Sequence, residues 1–420
     1  MSPSSATDLA VLRITVAMLL LGAADVWQGP GLAAALASYP PESLDPPWGS
    51  GWMFSLLGVN VAIAHAARAG VLLGAALGLV GLHARLGFAL AALCGLYLLA
   101  LPSLQGTIVH NHHLLWLSLL LATSPCADAL TIRTRRGPAI TGSAYTIPIR
   151  ATWLVVGAVF FFPGLWKLLT SGPGWIFSDN LQNQIYWKWA QSWDHPTLRI
   201  DRIPGSTQAA AAAVVAFELS FGFLLWWPRA RTPAVIAALA FHALTAALMD
   251  VRFSTLWPCY VAFFSWERRP ITTTKDASWA GGLVAAGLVA VVWVAGGSGV
   301  MRAWPVACYP TFAARVPATM PVLVVTVVGE DGVERAVSLE AMVAPEPGSW
   351  ALIWQLIGIG GPVRPDALEA FWAQASKRPA VEALLGGPGE IRFYRGELSV
   401  VPEERGQPAE RRVLLHVMAR

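Results

Sequence analysis

Nine apolar runs occupy most of the chain before residue 300, near 9–25, 60–81, 84–103, 107–124, 148–169, 207–227, 233–250, 252–267 and 279–297. A bilayer core about 30 Å thick takes roughly 20 apolar residues of helix. Runs of this length and number therefore predict an all-α polytopic membrane bundle of about nine spans. The eighth run carries Pro258 and is the shortest. Charged residues make up only 13% of the 420 residues, which excludes an ordinary cytosolic enzyme, whose share is roughly 25%. The N-terminus has no basic stretch and no small-x-small cleavage site, so the first run reads as a retained helix rather than a signal peptide.

From about residue 300 onward, charges, Pro and Gly rise and alternating segments replace the apolar runs. The reading is two domains: a membrane domain over 1–298 and a small α+β extramembrane domain over 299–420. Residues 321–339 hold two strand-like runs around Glu330-Asp331-Gly332, a hairpin pattern. Pro365 to Leu385 has helical periodicity and a suitable first turn. Glu390–Val401 and Arg412–Met418 read as further strands.

Basic residues resist translocation, and their distribution orients the bundle. With the N-terminus inside, the inner loops hold Arg85, Arg133, Arg135, Arg136, Arg229, Arg231, Arg268, Arg269 and Lys275. The outer loops before the tail hold Lys188, Arg199, Arg202 and Arg252. An odd number of spans then puts the C-terminal domain outside. Only four residues are lysine beside abundant Arg and Ala, which suggests a GC-rich bacterial genome. The expected setting is a bacterial inner membrane, with a cytoplasmic N-terminus and a periplasmic C-terminal domain. No clustered basic patch suggests nucleic acid. The four cysteines lack CxxC or Cys/His ligand spacing, and His110 and His113 lack the multi-histidine boxes of membrane di-iron sites, so no metal is expected.

Ionisable groups inside spans are costly and mark function or a paired structural site. The candidates are Arg13, His65, Arg68, His110, His112, His113, Lys167, Glu218, His242 and Asp250. Lys167 and the His110–His113 cluster fall toward the outer leaflet. Pro163-Gly164 stands just before Lys167, where a locally opened helix could line a cavity and desolvate the amine into a base. The other reading of Lys167 is an ammonium snorkelling to the headgroups. Glu218 and His242 lie near the middle of consecutive antiparallel spans and are expected to form a buried polar pair. Arg13 reads as snorkelling at the inner end of its span, or as binding a lipid or quinone headgroup. The long outer loop 170–206 carries Trp175, Tyr186, Trp187, Trp189, Asp194 and His195, and reads as a substrate-binding lid or an interfacial segment.

Leu12-Arg13-Ile14, Asn111-His112-His113-Leu114, FFFPGLWKLLTSGPGW (160–175), Glu218-Leu219 and Phe241-His242 together resemble the HTTM domain shared with vitamin K-dependent γ-glutamyl carboxylase, over about residues 8–270. The resemblance implies an enzyme in which Lys167 is the base acting on a reduced quinone, vitamin K or menaquinol. It also implies that His112 stabilises the deprotonated quinone, at a site facing outward. Membrane lipids and a protein or peptide substrate on the outer side are the implied partners. Pro163 replaces the family's alanine, and the tail is too short for the large lumenal region with which the carboxylase grips its propeptide and glutamates. Trp304 to Phe312 is similar to segments that follow the last span in bacterial membrane proteins of this kind. Two other function classes fit the residues: a non-catalytic membrane scaffold or assembly factor holding the external domain, and a small-solute carrier with Glu218 and His242 as a proton relay.

Overall fold

The computed structural model describes residues 3–39, 44–105, 110–134, 139–191, 198–308, 311–343, 349–359, 362–383, 389–404, 407 and 412–419. The protein is mostly helical, with a small sheet-containing C-terminal region. Among the described residues, seven helical segments are long and apolar enough to cross a membrane. The first joins α1 (Ala6–Gly22) to α2 (Ala24–Leu36) through a bend at Ala23. After a short α3 (Gly51–Leu57) come α4 (Val61–Val80) and α5 (Ala84–Leu98), the latter continued by a 3-10 turn to Leu104 in the apolar segment. The others are α7 (Ser143–Ser171), α10 (Ser206–Leu224), α11 (Pro228–Met249) and α12 (Trp279–Ser298), with α6 (His112–Ala122), α8 (Gly174–Phe177) and α9 (Asn180–Gln191) placed between them.

Nine membrane-crossing helices are thus not confirmed among the described residues. The fourth run becomes the 11-residue α6, and the eighth becomes a seven-residue 3-10 helix, Trp257–Phe263. Eleven α-helical residues reach only about 16 Å, and Pro258 removes a donor from the start of the eighth run. Both segments nevertheless run lengthwise in the bundle. The Ala122 carbonyl accepts from Arg85 at the start of α5, while Asn111 hydrogen-bonds Asp25 toward the opposite end. Likewise the Thr255 hydroxyl donates to Asn111, and the Trp266 amide donates to Asp8 in the first turn of α1.

The first end of the bundle is tied together by short-range chemistry. Ser5 and Asp8 form a reciprocal cap on α1. Ile140–Thr141 (β1) pairs in parallel with Thr273–Thr274 (β2), and Lys275 is ion-paired to Asp128 at 2.6 Å. Arg13 does not snorkel. Its side chain is fully buried and donates to the carbonyls of Cys126, Ala129 and Leu130, so it pins the turn after α6 to α1.

The C-terminal region forms at the other end. β3 (Thr319–Val328) and β4 (Glu334–Val337) make the expected hairpin, turning at Gly332 with φ 68°. With β5 (Glu390–Ser399) and β6 (Arg412–Ala419) they give an antiparallel sheet of order β4-β3-β5-β6. The period-2 alternation of β3 decides what each face meets. Leu323, Val325 and Val327 pack with Phe371, Trp372 and the other helices of the domain, whereas Met320 and Val322 pack with Ile185, Tyr186 and Trp189 of α9.

A polar clasp reinforces that contact. Arg199 pairs with Asp201 at 2.7 Å and with Glu403 of the C-terminal region at 2.9 Å. Arg199, together with the Tyr186 hydroxyl, holds the Asp201 carboxyl below the usual range, and Arg199 lowers Glu403 too. A carboxyl depressed in the fold stabilises it above the unfolded pKa of about 4, and that stabilisation is lost as pH falls through the folded value. Acidification from pH 6 to pH 3 is therefore expected to raise amide exchange over 396–404, corrected for intrinsic rate, before it raises exchange in α4 and α5. Uniform behaviour of the two regions would remove the clasp as a contributor.

Candidate functional site

The α7–α10 contact builds the site. Gly157 of α7 lies against Gly222 of α10, where an added Cβ would come within 3.2 Å of the Gly222 Cα. Two turns further along α7, a Cβ on Gly164 would stand 2.8 Å from the Cβ of Glu218. Two antiparallel helices can approach this closely only where small residues face each other. Pro163 does not end α7, which continues to Ser171. The ring does remove the amide that would bond the Val159 carbonyl one turn back.

Three residues past Gly164, the Lys167 ammonium donates to both carboxylate oxygens of Glu218 at 2.7 Å each. Both side chains are buried, at 4% and 6% exposure. The same Nζ lies 5.2 Å from the centroid of the Trp175 ring, whose face attracts cations. The Trp175 indole is fixed by a 2.7 Å bond to the Phe312 carbonyl. That carbonyl also accepts from the Gln184 amide at 3.2 Å. Phe312 itself has φ 60°, a left-handed conformation that costs a bulky side chain energy and turns this carbonyl toward α8 and α9.

The pair borders a chamber of about 840 Å³, open mouth included. Its walls are mainly apolar, with Val159, Phe160, Phe241, Met249 and Phe253 among them, and His110, Gln184, His242 and Thr245 add polar groups. An apolar cavity with a few converging polar groups is the usual form of a small-molecule site. Two buried polar atoms of lining residues, His242 Nδ1 and Gln184 Oε1, have no hydrogen-bond partner among the described residues. Buried groups of this kind are costly to leave unsatisfied and are candidates to meet a ligand or water.

The expected Glu218–His242 pair is corrected. Both residues line the chamber, but Glu218 is bound to Lys167, and His242 Nε2 is 2.6 Å from the Tyr260 hydroxyl. His112 also differs from expectation. It is buried against Trp116 and Trp304, with its ring 4.5 Å from that of Trp304, and it is His110 that reaches the chamber wall. His113 is engaged with the Thr255 carbonyl at 2.8 Å.

The described parts of the 170–206 stretch hold α8 and α9 and are anchored. Of the aromatic residues expected there, Trp175 lines the chamber. The Trp187 indole donates to the Pro317 carbonyl, the Trp189 indole to Leu248, and the Tyr186 hydroxyl to Asp201. Asp194 and His195 lie outside the described residues, as do Arg135, Arg136, Tyr309 and Pro310. Among the described residues, no three His, Cys, Asp or Glu side chains converge as metal ligands would. Tyr260 and the Phe312 carbonyl were not signalled by the sequence, since neither is an ionisable group in a span.

A family model for the HTTM domain matches residues 1–265, which include Lys167, Glu218 and His242 but not α12 or the sheet. No curated protein and no solved structure matches the chain.

Proposed function

We propose, on the premise that the chain belongs to the HTTM domain family found in vitamin K-dependent carboxylase-like proteins, that it is an integral membrane enzyme with Lys167 as its base. The observation that carries this reading is the Lys167–Glu218 pair in the wall of an apolar chamber. A snorkelling lysine would send its ammonium to the headgroups, whereas this one turns inward onto a buried carboxylate. By the charge bias of the loops, the N-terminus is cytoplasmic and the chamber and C-terminal domain lie on the periplasmic side of a bacterial inner membrane.

The chamber suits a reduced quinone, such as vitamin K hydroquinone or menaquinol. Phe160, Phe241 and Phe253 offer apolar faces to a ring, and the unpartnered His242 Nδ1 and Gln184 Oε1 offer polar contacts to its oxygens. When bound, a reduced quinone supplies an acidic ring hydroxyl and a reductant for oxygen. The protein supplies the proton handling. Lys167 passes its proton along the 2.7 Å bond to a Glu218 oxygen, leaving a neutral amine beside a neutral acid. In a low-dielectric chamber this exchange is inexpensive, because the ion pair gains little over the neutral pair once desolvation is counted. The Lys167 Nζ then accepts a proton from the hydroxyl, and Glu218 holds the first proton until the cycle closes. The substrate modified on the outer side belongs to the same proposal.

The test uses protein in nanodiscs supplied with reduced vitamin K or menaquinol and oxygen, with mass spectrometry for the quinone epoxide. Lys167→Ala is expected to lower its formation by about 10²–10⁴-fold, the usual worth of a general base, in a protein that still folds. A parent protein that binds the quinol and forms no epoxide overturns the reading.

A further inference from the structure

At the opposite end of the bundle, far along α7 from Lys167, two guanidinium groups share one aromatic ring. Arg150 stands 3.7 Å from the centroid of the Trp153 ring, and Arg231 stands 4.5 Å from the same centroid. Arg150 also lies 5.5 Å from the Trp226 ring. Both cations thus lie against the same ring. Neither is in an ion pair among the described residues, and Arg150 makes no hydrogen bond there. Its Nη1 is buried without a partner. Arg231 spends only its Nε, on the Leu225 carbonyl.

The carboxylates at this end are committed elsewhere. Asp8 is held by Ser5 and Trp266, Asp128 by Tyr145 and Lys275, Glu267 by Arg269 and Thr7, and Asp276 by Ser143. Arg231 and Arg229 moreover occupy the first turn of α11, which contains no acidic residue. Cations are unfavourable there, because the helix dipole puts partial positive charge at that terminus. Like charges stacked on one ring, at the wrong end of a helix, with an unused buried donor, make a site that lacks its counter-ion.

We propose that Arg150 and Arg231, seated on Trp153, bind a phosphoryl anion, with the phosphate of an anionic phospholipid as its source in the membrane. Arg150 is the eighth residue of α7, so it lies about 10 Å along the helix from Ser143, at the depth where headgroup phosphates meet a span. Guanidinium forks match phosphate oxygens in geometry as well as charge. The site is independent of the chamber and of any activity there.

The test measures thermal stability of delipidated protein in neutral detergent, for the parent, Arg150→Gln and Arg231→Gln. Phosphatidylglycerol, phosphatidylcholine or inorganic phosphate is added to each. The parent is expected to gain stability with phosphatidylglycerol and not with phosphatidylcholine. Each single variant should bind the anionic lipid about fivefold more weakly, as seen by native mass spectrometry. Without lipid, each variant should melt no lower than the parent, because it relieves a repulsion; this separates loss of a site from loss of the fold. If inorganic phosphate stabilises the parent as well as the lipid does, and fails on the variants, the anion site stands and its source is soluble phosphate. Equal lipid binding by the parent and both variants overturns the proposal.

Discussion

Glu218→Ala is expected to destabilise the protein by about 3–5 kcal/mol, because it leaves the Lys167 ammonium buried without its counter-charge. Lys167→Ala should cost a similar amount by stranding the carboxylate. The double variant Lys167→Met/Glu218→Leu should recover most of the loss, since buried ion pairs are often matched or exceeded by apolar side chains of similar volume. Denaturant titration in detergent micelles measures all three, and the double-mutant cycle isolates the pair. Quinol-dependent activity should be lost in all three variants, including the stable one. That dissociation of stability from activity is what distinguishes a pair kept for chemistry from one kept for packing. A Glu218→Ala protein as stable as the parent would mean that Lys167 carries no buried charge needing neutralisation.

Lys167, Glu218 and His242 could each be singled out from the sequence, since an ionisable side chain in an apolar run stands out by its cost. Their pairing could not. Consecutive antiparallel spans suggested Glu218 with His242, but the partner of α10 at this depth is α7, reached across the intervening α8 and α9. The contact is set by Gly157, Gly164 and Gly222, whose meaning depends on which helix faces them. The strands of the C-terminal region were legible because alternation of period two survives any arrangement of neighbours. β3 in fact uses both of its faces, one for its own helices and one for α9. The eighth run misled because hydropathy records apolarity and not hydrogen bonding, and Pro258 cannot continue an α-helix from the residues before it. The choice between His110 and His112 turned on local geometry at the start of α6. Residues two apart there face different surroundings, one the chamber and the other Trp116 and Trp304.

Gly164→Ala is expected to force apart the α7–α10 seam that holds the site. The new carbon would fall 2.8 Å from the Glu218 Cβ and 3.3 Å from the Leu219 backbone nitrogen. Neither neighbour is the free end of a side chain, so α7 and α10 must separate. Overpacking of this kind costs about 1–3 kcal/mol. Alanine in an open helical position gives the opposite sign. At Gly287 of α12 an added Cβ meets nothing within 4 Å, and Gly287→Ala should stabilise by about 0.5–1 kcal/mol through helix propensity. The functional consequence of Gly164→Ala should exceed its stability cost. Lys167 is three residues, just under a full turn, beyond Gly164 on α7, so displacement of the helices acts directly on the 2.7 Å contacts to Glu218. Under the proposed base role of Lys167, activity should fall in Gly164→Ala, while the quinol binding proposed for the apolar walls should change little. A variant that keeps full turnover despite its lower stability would show that proton exchange between Lys167 and Glu218 does not depend on the closeness of this seam.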